Sequence, residues 1–333
     1  MPDASLALVV IVIVFALLFD ISNGRGDAAN AIATVVSTRV LTPIQAILMA
    51  AAMNFAGALS GTAVAKTVGS GIVDPHAITL YTVLAGVSAA AAWVFTASHL
   101  GWPVSGSHSL ISGIVGASIA TAGWQVVIVR GVLFKVLVPL AIAPVAGVFV
   151  GFLFMLTFYW LFRRWSPSAV NGLFGKLQIL SAAAMAFSHG GNDAQKTMGV
   201  IALALFVYLD RSVLVIDWWV IVLAATAMAV GTYLGGRRVI TTLGMRLVKL
   251  QPVNGFVAEA SAAAVIEIAS RSGRPLSTTH VITSTIIGQG ATRRLSAVAW
   301  GVARGIVVGW IFTFPICGLL AWLLSTLFKL AFK

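Results

Sequence analysis

Long apolar stretches run through most of this chain, and they constrain its fold more than any other feature. Six of them lie around residues 4–21, 43–65, 77–97, 136–162, 215–235 and 296–328. A membrane-spanning helix needs about 20 mainly apolar residues. Only 9% of the 333 residues are charged, whereas soluble domains carry about 25%. The surplus apolar surface therefore predicts an integral membrane protein.

Helix is the secondary structure that these stretches favour. Lipid forces each backbone group to find its hydrogen bond within the membrane, and the alternating pattern of a β-barrel is missing from the sequence. Shorter apolar runs lie near 27–37, 107–121, 193–208 and 279–291, and each is too short to span alone. We therefore predict an all-α membrane protein with about ten to twelve hydrophobic segments, several of half length. The first stretch follows Met1-Pro2-Asp3, which has no positive charge, so we do not expect a cleaved signal peptide.

The net charge of +12 is interpreted in this membrane context. Basic residues mark cytoplasmic loops and bind anionic lipid headgroups, so no nucleic-acid partner is expected. Arg163 and Arg164 predict a cytoplasmic link in mid-chain, and Arg237 and Arg238 predict a second cytoplasmic loop. The N-terminus is then expected outside, in a multi-pass protein of the inner or plasma membrane. The lone Cys317 implies neither an intrachain disulfide nor a metal site.

The chain contains a weak internal repeat. Four segments recur in the same order at a nearly constant separation: 22–28 in 188–194, 85–91 in 258–264, 103–108 in 275–280, and 114–116 in 286–288. We predict two transmembrane repeats, 1–162 and 173–333, joined by a short link at 163–172. If the N-terminus is outside and the link inside, each half crosses an odd number of times, and the repeats are inverted. Inverted repeats with interrupted helices are typical of secondary transporters.

Two glycine-containing polar motifs interrupt the apolar background. We expect Gly24 with Gly26, and Gly190 with Gly191, to break their helices, and Asp27 and Asn192-Asp193 to begin the helices that follow. Unwound carbonyls and carboxylates form sites for a small cation. The predicted coupling-cation residues are Asn23, Asp27, Asn30, Asn192 and Asp193. The structural alternative is that these side chains form interhelical hydrogen bonds that hold the bundle together.

Two Pro-x-Ser motifs predict an anion site. Pro103 and Pro275 should each stop a helix, and the hydroxyls that follow should cap the next one. A helix N-terminus offers unpaired N–H groups to an anion. The predicted anion-binding residues are Ser105, Gly106, Ser107, His108, Ser277, Thr278, Thr279 and His280. Simple capping is the alternative, and the two histidines are expected either to form local hydrogen bonds or to contact a proton or the substrate.

For each of the other charged residues in the apolar segments, the sequence allows two possible roles. Lys196 either neutralises Asp193 or contacts the anion. Arg25 either attracts anions from a water-filled vestibule or binds the anion directly, and we favour the vestibule. Glu259 and Glu267 either pair with a nearby arginine or carry a coupling proton.

With these motifs the sequence resembles the inorganic phosphate transporter (PiT) family over nearly its whole length. The segments that carry the resemblance are 19–34, 188–199 and the two Pro-x-Ser motifs. The resemblance implies two inverted repeats with phosphate and coupling cations bound centrally, driven by a sodium or proton gradient. Some members carry metal–phosphate complexes, and some are sulfate permeases. The chain departs from the family at Gly26, where members typically have Asn or His, and at Arg25 before it.

The predicted function is secondary active transport of inorganic phosphate, coupled to sodium or protons, by alternating access around a central site. Sulfate transport and a passive anion channel are the alternatives, and a channel would not need two buried aspartates. An enzyme is not expected, because the sequence shows no nucleophile–base–acid set and no metal-ligand cluster. No cofactor is predicted beyond the coupling ion. We expect membrane lipid to surround the protein, and the sequence leaves open whether the protein is a homo-oligomer.

Overall fold

The structure is a computed structural model that describes residues 6–235 and 242–331. Their α-helices are α1 (Leu6–Ser37), α2 (Pro43–Ala58), α3 (Ala63–Ser70), α4 (Leu80–Leu100), α5 (Gly106–Ala122), α6 (Val129–Leu161), α7 (Pro167–Tyr208), α8 (Trp218–Leu234), α9 (Pro252–Arg271), α10 (Thr278–Ala291) and α11 (Trp300–Ala331). Helix α6 contains a π-helical stretch at Val132–Leu137. Arg237 and Arg238 of the predicted cytoplasmic loop lie outside the described residues, as does Met1-Pro2-Asp3.

The helices are those of a multi-pass membrane protein. Six of them, α1, α4, α6, α7, α9 and α11, are long and apolar enough to cross a bilayer. Helices α2 and α3 meet at a bend of 70° and make a seventh span if they are counted together. Large apolar side chains such as Phe149 and Trp160 of α6 and Ile311 of α11 are exposed on the outer surface, where lipid would cover them. The all-α class is thus observed, whereas the count of ten to twelve hydrophobic segments stays a prediction.

The predicted helix breaks are wrong. Helix α1 continues through Gly24 and Gly26, and α7 continues through Gly190 and Gly191. Asp27 and Asn192-Asp193 therefore lie inside long helices and begin none. The apolar runs 27–37 and 193–208, taken as separate short elements, are the C-terminal parts of these two helices.

Close helix crossings explain these glycines better than breaks do. A Cβ atom added at Gly24 would meet the backbone of Met228 in α8, and one added at Gly190 would meet the backbone of Asn54 in α2. Small residues at such crossings let two backbones approach within a membrane. The glycines therefore bring neighbouring helices together at the depth of the polar motifs.

Packing between the two halves of the chain is reciprocal. Helix α1 packs on α8, and α7, its counterpart in the second half, packs on α2. Likewise α5 packs on α11, and its counterpart α10 packs on α6. Helices of each half therefore pack against helices of the other half. The polar motifs of both halves meet between α1 and α7.

Helices α5 and α10 begin as the sequence predicts. Their N-caps are Ser105 and Ser277, whose side-chain oxygens accept hydrogen bonds from the backbone N–H groups of His108 and His280. The preceding helices end at Leu100 and Arg271, before the two prolines.

Candidate functional site

A buried polar seam runs between α1 and α7. It consists of Asp20, Asn23 and Asp27 of α1 and of His189, Asp193, Lys196 and Thr197 of α7, all of them buried. In each helix these residues recur at intervals of three and four, and therefore share one face. The polar side chains of α1 thus lie along one face of an unbroken helix.

The contacts across the seam show that α1 and α7 run antiparallel. Asp27 lies opposite His189, Asn23 opposite Asp193, and Asp20 opposite Thr197. Residue numbers fall along α1 as they rise along α7. The first two contacts are also equivalent under the internal repeat, because Asn23 matches His189 and Asp27 matches Asp193.

The centre of the seam brings two carboxylates to one imidazole. His189 Nε2 lies 3.9 Å from Asp27 Oδ2 and 3.7 Å from Asp193 Oδ2. Asn23 Nδ2 donates a hydrogen bond of 2.8 Å to Asp193 Oδ2, and Lys196 Nζ lies 2.6 Å from Asp193 Oδ1. Lys196 therefore neutralises Asp193, the first of the two roles considered for it.

The orientation of His189 follows from a chain of hydrogen bonds. The Thr232 hydroxyl donates to the Met228 carbonyl, so it accepts from Asn54 Nδ2 at 2.8 Å. Asn54 therefore presents its carbonyl oxygen, Oδ1, to His189 Nδ1 at 3.0 Å. Because Oδ1 can only accept, Nδ1 carries the proton. The other ring nitrogen, Nε2, then faces the two carboxylates.

These three side chains form a candidate cation site. One oxygen each from Asp27 and Asp193 and one ring nitrogen of His189 all lie within 4.8 Å of one another. The expectation of no metal-ligand cluster is therefore wrong for these three residues, which could hold a metal ion. Asp27 is far from the other two in sequence, so only the antiparallel contact of α1 with α7 brings them together. The repeat could have indicated His189, because it aligns with the predicted ligand Asn23.

The N-termini of α5 and α10 meet beside this cluster. Ser107 Oγ donates to the Leu276 carbonyl at 2.5 Å, and Thr279 Oγ1 lies 3.4 Å from the Val104 carbonyl oxygen. These two contacts are equivalent under the repeat. The hydroxyls of α10 also reach the carboxylates, because Thr279 donates to Asp27 at 2.9 Å. The predicted anion and cation residues therefore share one central region.

The histidines of the two Pro-x-Ser motifs, His108 and His280, are in contact with each other in this region. The ring centroids of His108 and His280 are 4.6 Å apart, and the His280 ring stacks on Trp310 at 3.7 Å. Among the described residues, none of the four ring nitrogens makes a hydrogen bond of standard geometry, although the Trp310 backbone approaches the His108 ring. Local hydrogen bonding and contact with a proton or the substrate therefore both stay predictions for these histidines.

The remaining predicted residues divide between the centre and its surroundings. Asn30 Nδ2 donates to Thr279 at 3.0 Å, and Gly106 leaves room for the Asn23 side chain. Asn192 instead turns to α9, where it donates to Ser270 at 2.8 Å. The Arg25 guanidinium lies 6.0 Å from the ring centroid of Phe95 on α4, outside the polar seam.

The two glutamates of α9 have different partners. Glu267 accepts from Arg271 at 2.8 Å near the end of the helix, as one of the two interpretations predicts. Glu259 is fully buried and instead accepts hydrogen bonds from Thr34, Gln178 and Ser181. No arginine among the described residues pairs with it.

Comparison with known proteins decides the family. The sequence profile of the phosphate transporter family matches residues 23–321, which is most of the chain. The chain belongs to the phosphate transporter family. The resemblance drawn from the motifs is thereby confirmed, and so is the prediction of a transporter rather than an enzyme.

Named relatives of this family cover nearly the whole chain. A probable low-affinity inorganic phosphate transporter of Rhizobium meliloti (strain 1021) is 44% identical, over 96% of this chain and 96% of its own. One of Bacillus subtilis (strain 168) is 41% identical, over 94% of this chain and 95% of its own. A solved sodium-dependent phosphate transporter superposes with a TM-score of 0.92 at 25% identity, over 98% of this chain and 100% of that one.

Proposed function

We propose that this protein is a secondary active transporter that moves inorganic phosphate together with sodium or protons. The observation that carries the proposal is the Asp27–His189–Asp193 cluster beside the paired N-termini of α5 and α10. A cation-binding group and an anion-binding group in one buried region allow each ion to offset the other's charge. Binding of one then favours binding of the other, which is the thermodynamic basis of coupling.

The phosphate would lie at the two helix N-termini. The first turn of α5 and of α10 offers backbone N–H groups that have no partner within the helix. Ser105, Ser107, Ser277, Thr278 and Thr279 add hydroxyls, and hydroxyls donate without the permanent charge of arginine. A neutral set of donors suits a carrier that must release its cargo. An acceptor is needed for the proton of hydrogen phosphate, and Asp27 or Asp193 provides one, which favours phosphate over sulfate.

The coupling cation would bind at Asp27, Asp193 and His189, with Asn23 and Asn30 supplying amide groups nearby. Two carboxylates this close together are costly to bury without a positive charge between them. Lys196 pairs with Asp193, which it contacts at 2.6 Å, and forms no ion pair with Asp27 among the described residues. One sodium ion or proton at the cluster would offset Asp27. Arg25, which lies outside the seam, would attract anions by charge alone.

Two inverted repeats, 1–162 and 173–333, would move against each other around this site. The antiparallel course of α1 and α7, which are counterparts in the repeat, supports the inversion. The reciprocal packing of α5 on α11 and of α10 on α6 supports it as well. Alternating exposure of a site between two such halves is the usual mechanism of this architecture.

Uptake of labelled phosphate into proteoliposomes tests the proposal. Sodium and proton gradients are imposed separately, with sulfate as competitor, and Asp27→Asn is compared with wild-type protein. We expect accumulation above equilibrium with at least one gradient, and its loss in the variant. Uptake that only equilibrates phosphate, with no accelerated exchange from preloaded vesicles, would instead identify a passive channel. Stronger inhibition by sulfate than by unlabelled phosphate would identify a sulfate carrier.

A further inference from the structure

Asp20 is a buried carboxylate of α1 to which the proposed transport cycle has so far assigned no role. It lies near the middle of this 32-residue helix, about two turns before Asp27 on the same face. Its side chain has 0% exposure. Neither carboxylate oxygen makes a hydrogen bond of standard geometry among the residues that the structure describes.

The surroundings of Asp20 contain one neutral neighbour and two charged groups. The Thr197 hydroxyl lies beside the carboxylate and acts on it as a hydrogen-bond donor, although the contact falls outside standard hydrogen-bond geometry. Asp193 and Lys196, also on α7, act on it electrostatically. The nearer helices α2, α4 and α8 contain no Asp, Glu, Lys or Arg, and their titratable side chains are Tyr81 and His99 of α4 and Tyr233 of α8.

The titratable groups that α9, α10 and the Thr242–Arg246 segment bring to α1 lie toward its C-terminal end. Glu259 of α9 contacts Thr34. Arg246 belongs to the Thr242–Arg246 segment, which packs on Ala33 through Gly244. His280 of α10 contacts His108. Among the described residues, the cation that acts on Asp20 is the Lys196 ammonium, and that ammonium already donates to Asp193 at 2.6 Å.

We propose that Asp20 is a proton-binding site of the transport cycle, separate from the central cation cluster; this inference rests on the proposed function. A fully buried carboxylate that has one hydroxyl beside it, no hydrogen bond of standard geometry and no ion pair of its own is strongly disfavoured, and binding a proton removes its charge. A metal cation fits poorly there. It requires several oxygen ligands, whereas the described surroundings offer the Thr197 hydroxyl and a repelling ammonium.

Lys196 connects this proton site to the centre of the seam. While Asp20 is protonated and neutral, the Lys196 ammonium is attracted to the Asp193 carboxylate alone. When Asp20 loses its proton, two carboxylates attract one ammonium, and the charge balance at Asp193 changes. Proton release at Asp20 would therefore alter the affinity of the central site for its ions, because charge interactions in a low-dielectric region are strong. This is how the proton gradient would drive phosphate movement.

Proteoliposomes with Asp20→Asn test the inference. An amide resembles the protonated carboxyl but cannot release a proton. Labelled phosphate is followed in counterflow at equal pH, in sodium-free uptake driven by a pH gradient, and in uptake driven by a sodium gradient. We expect the variant to retain counterflow and to lose accumulation under the pH gradient. Asp20→Glu, which keeps a titratable group, should restore that accumulation.

A second variant keeps the test valid if Asp20→Asn does not fold. Thr197→Val removes the neighbouring hydroxyl, and it should shift the midpoint of the pH profile for uptake, which a purely structural role would leave in place. The inference is overturned if Asp20→Asn accumulates phosphate under a pH gradient as wild-type protein does. It is also overturned if the wild-type protein responds to sodium alone, although the proposed function then stands. If neither gradient drives phosphate accumulation by the wild-type protein, the proposed function itself fails.

Discussion

His189 Nδ1 lies 3.0 Å from Asn54 Oδ1, and this hydrogen bond directs the other ring nitrogen at Asp27 and Asp193. Asn54 is on α2 and has no contact of its own with either carboxylate among the described hydrogen bonds. It is therefore a positioning residue for the central cluster.

Asn54→Leu should weaken binding of the coupling cation. Losing the hydrogen bond lets the imidazole rotate or change tautomer, and a buried hydrogen bond of this kind contributes about 1–3 kcal/mol. We expect the cation concentration for half-maximal phosphate uptake to rise by about tenfold or more. Asn171→Leu, near the start of α7, is the control and should behave like wild-type protein. An unchanged cation dependence for Asn54→Leu would show that the orientation of His189 does not matter.

Variants of the Lys196–Asp193 ion pair should affect thermal stability and phosphate transport differently. Asp193→Asn leaves the Lys196 ammonium buried without its partner, which costs about 3–5 kcal/mol, so thermal stability in detergent should fall. The double variant Asp193→Asn/Lys196→Met removes both charges and should recover most of that stability. It should still fail to accumulate phosphate, because Asp193 is also a proposed cation ligand. Normal transport by the stable double variant would exclude that role.

The helix caps at Ser105 and Ser277 predict a loss of phosphate affinity. Replacing both by alanine removes two hydroxyl donors from the proposed anion site and should raise the half-saturation for phosphate by about tenfold or more. The caps themselves are worth about 1 kcal/mol each, so a stability control is needed. Ser166→Ala removes the equivalent cap of α7, which is exposed and distant from the site. Equal kinetic effects of the cap variants would mean that the two serines only stabilise helices.

The glycines of α7 predict opposite results at two positions of one helix. A Cβ atom at Gly190 would collide with the α2 backbone, whereas one at Gly175 has nothing within 4 Å. Gly190→Ala should therefore lower thermal stability, by about 1–3 kcal/mol or more, and impair transport by moving Asn54. Gly175→Ala should be neutral or stabilising by up to about 1 kcal/mol, since alanine favours helix. A stable, active Gly190→Ala protein would argue against a tight crossing there.

Class and family were determined by the sequence alone. Apolar stretches of spanning length leave no soluble alternative, and the two copies of the polar and Pro-x-Ser motifs indicate the phosphate transporter family. The caps at Ser105 and Ser277 were also predictable, because capping depends on residues within one turn of the helix start. These features are local, or are repeated in the sequence itself.

Only the tertiary structure decided what the glycines and the buried histidine do. Gly24 and Gly190 are followed by polar residues, a pattern that equally suits a helix break or a close crossing. The outcome depends on whether another backbone lies against them, as α8 and α2 do here. The antiparallel contact of α1 with α7 makes His189 a candidate ligand, and it leaves Asp20 without a hydrogen bond of standard geometry among the described residues. Sequence reports which groups are costly to bury, whereas only packing determines which of them meet.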